Sequence, residues 1–191
     1  MSKNYDIIHY IQKQCDNATV SKITTRLFTR LDGQSTYASA LSASVTLVLA
    51  LAMNDIPAQL ILGTVEIPSI EKRFPSAWVE VDNKIYDISI YFDTLRHPVF
   101  KEHEILIKPQ VNVDYDDADV EYYDFQYIDI FDMSDIARTV GKTFKSFCNE
   151  SPNGDDIWCD VFYATNINQT KERFERLQSI AEKLTIKTTR N

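Results

Sequence analysis

The hydrophobic residues in the amino-terminal part of the chain follow a helical period. In residues 4–15 and again in residues 20–31, apolar side chains recur on one side and leave other faces polar. That spacing predicts two amphipathic helices. Residues 38–53 keep the same period, but their remaining faces are also small or apolar. Such a segment is typical of a central helix that is buried on most sides. The spaced positions include Ile7, Ile8, Ile11, Ile23, Leu27, Leu31, Leu41, Val45 and Val48.

The segments that follow change to the patterns of strands. Residues 60–65 are almost continuously apolar, which is expected of an internal strand. Residues 76–82 alternate between apolar and polar side chains, which predicts a half-buried strand. Asp82 and Asn83 both tolerate turn conformations, so they predict a two-residue hairpin into a third strand over residues 85–90. Together these segments predict a meander after the central helix.

An acidic and aromatic segment dominates the middle of the second half. Residues 114–135 contain eight Asp, one Glu and six aromatic residues but no Lys or Arg. The aromatic residues favour an ordered segment laid across the domain rather than a mobile acidic tail. Helical spacing returns towards the carboxyl terminus. The predicted elements here are strands at 105–107 and 122–130 and helices at 136–147 and 155–163, with a last helix that Asn168 or Thr170 opens and that runs to about residue 184.

This order of elements predicts an α+β fold in which a central buried helix packs on an antiparallel sheet. Neither a repeat nor a low-complexity tract nor a linker divides the sequence, so we expect a single domain over residues 1–191. Its core would span about residues 20–110. The acidic-aromatic segment and the extra helices would follow over residues 111–191.

Charge and composition limit the classes of function. Apolar residues make up 44% of the chain, which is enough for a packed core. The net charge of −8 argues against nucleic-acid or anionic-membrane binding, because phosphate-rich surfaces repel an acidic chain. The first residues are mixed polar rather than a signal sequence, and residues 38–53 are too short to span a bilayer. We therefore expect a soluble cytoplasmic protein.

The cysteines and histidines show no metal-ligand spacing. Cys15, Cys148 and Cys159 lie on separate predicted helices, where a buried structural cysteine is the expected role. The three histidines are dispersed along the chain. The acids of residues 114–119 lack the loop glycine and the spaced glutamate of a calcium-binding hand. We expect neither a metal nor another cofactor.

Two motifs between Tyr37 and Asp87 carry a family resemblance. The turn and strand Asp55-Ile-Pro-Ala-Gln-Leu-Ile-Leu-Gly63 and the strand Ala77-Trp-Val-Glu-Val-Asp82 are similar to "GIPA…G" and "HAWVEV" segments of the transglutaminase-like branch of the papain-like superfamily. Within that branch, the chain most resembles the small leader peptidases of lasso-peptide biosynthesis. Their central helix reads Cys-Leu-x-x-Ser, where this chain has Ala40-Leu-Ser-Ala-Ser44.

The resemblance implies a site for thiol chemistry. In this superfamily a cysteine begins the central helix, a histidine on a later strand takes its proton, and an aspartate on the next strand orients the imidazole. The three positions fall on Ala40, Ser76 and Asp87. Only Asp87 matches, because alanine is no nucleophile and serine is no general base near neutral pH. The resemblance therefore implies a degenerate triad.

The substituted triad favours a non-catalytic domain that binds a peptide or protein partner through the former active-site cleft. Trp78 and Ser44 are the expected binding residues beside the triad positions. Acidic and aromatic side chains of residues 114–135 would line the cleft and favour a basic partner. The sequence does not indicate an oligomeric state.

Catalysis remains an alternative at this point. A peptidase or acyltransferase could use Ser35, through a shifted register, or Ser44, or a displaced pair of a cysteine and a histidine. His97 and His103 follow the third strand and could reach the cleft from another direction. Ala40 could also be an engineered replacement of a native cysteine, although that would not explain Ser76.

Overall fold

The computed structural model describes residues 3–33, 39–124 and 138–187. In this part of the chain eight α-helices accompany one five-stranded sheet, so the α+β class is confirmed. The helices are α1 Lys3–Gln14, α2 Ala18–Asp32, α3 Ala40–Ala52, α4 Ser89–Arg96, α5 Pro98–Glu102, α6 Phe144–Glu150, α7 Gly154–Thr165 and α8 Lys171–Lys183. The strands are β1 Gln59–Ile67, β2 Lys72–Val81, β3 Lys84–Asp87, β4 Gln110–Val113 and β5 Glu121–Asp124.

The sheet is antiparallel throughout, with the strand order β4-β3-β2-β1-β5. The predicted meander is confirmed as β1, β2 and β3. Asp82 and Asn83 form the turn between β2 and β3, with φ angles of 52° and 62°. Both angles lie in the left-handed region that Asp and Asn tolerate better than most residues, which explains the two-residue connection.

Three sequence-based boundaries in this region need correction. The third strand ends at Asp87 rather than at residue 90, because α4 starts at Ser89. Residues 105–107 do not form a strand, and the strand of that region is β4. The extended segment predicted over residues 122–130 is a strand as far as Asp124, and residues 125–130 lie outside the described ranges.

Helix α3 is the central helix that its sequence predicts. Every residue from Ala43 to Leu51 is buried. One side of α3 packs against the sheet through residues such as Leu62 and Val79, and its other sides pack against α2 and α7. The Ser44 hydroxyl donates to the carbonyl of Ala77 at 2.8 Å, which ties the helix to β2.

The second face of the sheet is buried as well, which the alternating pattern of β2 did not predict. Trp78 is fully buried, and its ring centroid lies 4.8 Å from that of Tyr122 in an edge-on contact. Its Nε1 donates to the hydroxyl of Tyr115 at 2.8 Å. The same hydroxyl donates to Glu80 at 2.5 Å. The prediction of a half-buried strand is therefore wrong, because the segment around Tyr115 and Tyr122 covers the second face.

The carboxyl-terminal helices agree with the sequence in part. Helices α7 and α8 cover the segments predicted to be helical. Residues 138–141 are a turn, so the predicted helix over 136–147 is too long, and its residues 136 and 137 lie outside the described ranges. Gly141 explains the turn, because it has a φ angle of +84° and its N–H donates to Ile186 O at 2.9 Å. Helix α6 then starts after Thr143, whose hydroxyl accepts from Ser146 N.

The helices of residues 3–33, 39–124 and 138–187 are all too short or too polar to cross a membrane.

Candidate functional site

A cavity of about 660 Å³ opens at the amino end of α3. That volume lies within the range of small-molecule and peptide pockets. Its walls come from the first residues of α3, the first half of β2, the α4–α5 region and the residues around α6. The two long stretches of wall are Ser39–Ser42 and Lys72–Ser76.

Two of the three residues singled out by the sequence resemblance, Ala40 and Ser76, line this cavity. Ala40 is the first residue of α3 and is half-buried, and Ser76 lies on the facing part of β2. Ser76 is only 1% exposed, and its Oγ has no hydrogen-bond partner within the described residues. A thiol at position 40 and an imidazole at position 76 would share one site. The methyl and hydroxymethyl groups present there cannot perform thiol chemistry.

Asp87, the third residue singled out by the sequence resemblance, does not line the cavity. Its Oδ1 accepts from Ser89 N at 3.0 Å, Ser89 Oγ at 2.6 Å and Ile90 N at 3.1 Å. Its Oδ2 accepts from the Tyr122 hydroxyl at 3.1 Å. Burial raises the pKa of this carboxyl above its ordinary value, and these hydrogen bonds partly offset that effect. Asp87 therefore holds the start of α4 and has no imidazole to orient.

The two predicted binding residues also have internal roles. Trp78 packs among the apolar residues on the second face of the sheet, and its Nε1 donates to the hydroxyl of Tyr115. Ser44 is 4% exposed, and its hydroxyl donates a hydrogen bond to Ala77 O. Neither side chain lines the cavity. Both side chains therefore stabilise the fold and do not contact a ligand in the cavity.

His97 does line the cavity, and it reaches the wall from the α4–α5 side. Val99 N donates to its Nδ1 at 3.3 Å, so the neutral ring carries its proton on Nε2. Asp93 also lies in the wall, and its carbonyl accepts from His97 N at 3.0 Å. His103 does not contribute to the wall. Of the two histidines after Asp87, His97 is therefore the one available to a ligand.

None of the cysteines lines the cavity. Burial raises the pKa of the Cys15 thiol to about 11 and that of Cys148 to about 12, so both thiolates are disfavoured. Cys159 is exposed on α7. A displaced cysteine nucleophile is therefore not present at this site, and Ser35 lies outside the described residues.

Two serines of the wall bond to each other. Ser39 Oγ donates to Ser42 Oγ at 3.0 Å and accepts from Ser42 N at 3.2 Å. Ser39 thereby caps α3. Within the described residues, no group of three His, Cys, Asp or Glu side chains could hold a metal ion.

The charges of the cavity differ from those expected of the acidic segment. The described part of that segment, residues 114–124, does not contribute to the wall, and residues 125–135 lie outside the described ranges. Lys72, Arg73 and His97 line the cavity, and Asp93 is the one carboxylate among the lining residues of the described chain. This concentration of basic groups could not be predicted from the chain's net charge of −8.

No family model, no curated protein and no solved structure matches this chain. The motifs in residues 37–87 and the geometry of the cavity are therefore the basis for assigning a function.

Proposed function

We propose that this protein is a non-catalytic, transglutaminase-like domain that binds a peptide in the cavity at the amino end of α3. The observation that carries the proposal is the meeting of Ala40 and Ser76 in one open cavity. These are the positions at which the resembled family places its nucleophile and its base. Because both residues line one cavity, the cleft is retained. Because neither side chain can serve as a thiol nucleophile or a general base, the thiol reaction is lost.

The lack of a working triad follows from the chemistry of each group. Alanine has no atom that can attack a carbonyl, and the Ser76 hydroxyl cannot accept a proton near neutral pH. Asp87 accepts four hydrogen bonds from α4 and β5, which leaves it without a catalytic partner. Binding is the function that these residues can still perform.

The shape of one wall favours a peptide over a compact ligand. Five consecutive residues of β2, Lys72–Ser76, line the cavity. On that side of β2, strand β3 pairs only with Val79–Val81. The wall is therefore formed by a strand edge that β3 does not cover. Extended peptides bind such edges through main-chain hydrogen bonds, and adjacent pockets then hold alternate side chains.

The test uses a pool of short randomised synthetic peptides with free termini, presented to the immobilised protein. We expect captured peptides to bind the unmodified protein and to lose at least about tenfold in affinity against Ala40→Trp, which fills the cavity. Ala18→Trp is the matched control, because Ala18 is the exposed first residue of α2, as Ala40 is the first residue of α3. Failure to capture any peptide, or equal binding by Ala40→Trp, would contradict the proposal.

A serine-type hydrolase or acyltransferase is the second candidate. The observation in its favour is that His97, Asp93 and the hydroxyls of Ser39 and Ser42 line the same cavity. Against it, the two serines bond to each other, and no hydrogen bond joins either to His97 in the described chain. A fluorophosphonate that labels one of these serines, with labelling lost in His97→Ala, would favour catalysis over binding.

A further inference from the structure

The amino end of α3 presents backbone N–H donors to the cavity that have no acceptor among the described residues. The first hydrogen bond within the helix runs from Ala43 N to Ser39 O at 3.0 Å, and Ser42 N donates to Ser39 Oγ. The N–H groups of Ala40 and Leu41 precede these bonds, as the first N–H groups of any helix do. Both residues line the cavity. The helix has 13 residues and no acidic side chain in its first turn, so no carboxylate of its own offsets the positive end of its dipole.

Ser76 supplies a second and independent sign of a ligand. Its hydroxyl is buried without a hydrogen-bond partner in the described chain, although the residue lies in the cavity wall. Buried polar groups are nearly always paired, so an unpaired hydroxyl beside a cavity indicates a missing polar partner. The partner would lie between the amino end of α3 and the first half of β2.

The charged residues of the wall indicate the sign of that partner. Lys72 is exposed at the cavity, and Nε2–H of His97 is a further donor because Nδ1 accepts from Val99 N. Arg73 also lies in the wall and pairs with Glu66 at 2.5 Å. Asp93 is the single acidic side chain among the lining residues described. Lys72 and the positive end of the α3 dipole favour a negatively charged group beside them.

The remaining wall is apolar and adjoins the same strand edge. Phe74 and Phe100 contact each other with ring centroids 5.4 Å apart, and Leu41, Val99 and Phe147 complete the apolar surface. A ligand would thus place apolar side chains against these residues while its charged group faces the amino end of α3. Capture of a terminal carboxylate by backbone N–H groups, beside an added strand, is an established mode of peptide recognition.

We propose that the cavity binds the carboxyl-terminal residues of a peptide, with the terminal carboxylate at the N–H groups of Ala40 and Leu41 and the hydroxyl of Ser76. Apolar side chains near the carboxyl terminus lie against Phe74 and Phe100. This inference rests on the proposed peptide-binding function and assigns its ligand class. It reverses the expected preference for a basic partner, because the described acids of residues 114–124 lie outside the cavity wall.

The experiment compares two pools of short randomised synthetic peptides that differ only at the carboxyl end, which is a free acid in one pool and an amide in the other. We expect captured peptides to come from the acid pool and to bind at least about tenfold more weakly as amides, as measured by fluorescence polarisation. Equal binding of acid and amide would overturn the carboxylate assignment while leaving peptide binding intact. Capture from neither pool would overturn both proposals.

Peptide amides with an internal Glu distinguish binding of a side-chain carboxylate from binding of the terminal carboxylate. If they bind as tightly as the free acids, the site takes a side-chain carboxylate and the terminal assignment is wrong. We expect them to bind like other amides.

Three variants test the placement of the carboxylate. Ala40→Asp should weaken binding of acid peptides at least about tenfold by like-charge repulsion, although Asp in a first helical turn does not destabilise the helix. Ala40→Asn is the neutral counterpart at the same position. Ala18→Asp places the same negative charge in the first turn of α2 instead. Both controls should bind acid peptides with an affinity closer to that of the unmodified protein. Equal affinities of Ala40→Asp and Ala40→Asn would contradict the placement.

Ser76→Ala separates a ligand contact from a structural role. Removing an unpaired buried hydroxyl should leave the melting temperature unchanged or raised, while acid peptides bind about threefold to tenfold more weakly. A fall in melting temperature with unchanged affinity would show that the hydroxyl serves the fold and would overturn its place in the site.

Discussion

The hydroxyl of Tyr122 donates to Oδ2 of Asp87 at 3.1 Å, across a buried contact between β5 and the end of β3. In the resembled family this aspartate orients a histidine. Here its partners are a tyrosine and the first residues of α4. Asp87 therefore serves the scaffold.

The substitution Asp87→Ala should destabilise the protein by about 3 kcal/mol. It leaves three buried donors of Ser89 and Ile90, and the hydroxyl of Tyr122, without an acceptor. Urea unfolding at neutral pH measures the loss. Asp87→Asn keeps one acceptor oxygen and should cost less. Equal stability of Asp87→Ala and the unmodified protein would contradict the structural role.

The stability of the protein should depend on pH through Asp87. Burial raises the pKa of its carboxyl in the folded state, so the folded protein binds this proton more tightly than the unfolded chain does. The stabilisation by that proton is complete below the unfolded pKa of about 4 and is lost as pH rises through the folded pKa. Asp87→Asn removes this dependence. The unfolding free energy of the unmodified protein minus that of Asp87→Asn should therefore fall as pH rises from about 4, and then level off. A difference that grows over this range would have the wrong sign.

A cysteine at position 40 should be a reactive thiol without being a protease. In Ala40→Cys the thiol lies at the amino end of α3, where the helix dipole lowers its pKa below the ordinary value of about 8.5. The rate of alkylation by iodoacetamide, measured against pH in a Cys159→Ser background, reports that pKa. Ser179→Cys, on the exposed side of α8, is the control without a helix amino end. A thiol pKa at position 40 equal to or above that of the control would contradict the expectation.

Gly63 should not tolerate a side chain. A Cβ added there would lie 2.2 Å from Tyr123 O and 2.5 Å from the Trp78 ring. Gly63→Ala should therefore cost about 2–3 kcal/mol of unfolding free energy by overpacking. Gly33→Ala is the matched control, because the nearest atom to its added Cβ is 3.6 Å away and its φ angle is −76°. Thermal melts of the two variants should differ by several degrees, and equal melting temperatures would show that β5 can shift to accommodate a methyl group.

Only two residues of the cavity wall, Ala40 and Ser76, were predictable from the sequence. The positions of Ala40 and Ser76 followed from motifs that lie on α3 and β2, which are adjacent in the fold. His97 could be noted only as a histidine after the third strand. Its place in the wall depends on how α4 and α5 turn back towards α3. The sequence could not predict that Lys72 and His97 line the same cavity, because they are far apart in the chain and the overall charge is acidic.

Local patterns in the sequence determined the helices, the central burial of α3 and the turn at Asp82 and Asn83, because each depends on neighbouring side chains and backbone preferences. Tertiary structure alone decided the burial of Trp78 and Glu80 and the contact of Asp87 with Tyr122. Those contacts come from Tyr115 and Tyr122, more than thirty residues away along the chain. The period of a strand records which side chains share a face, but it cannot specify which distant segment covers that face. For the same reason, only the fold could show that Asp87 supports α4 while the cavity beside Ala40 stays open.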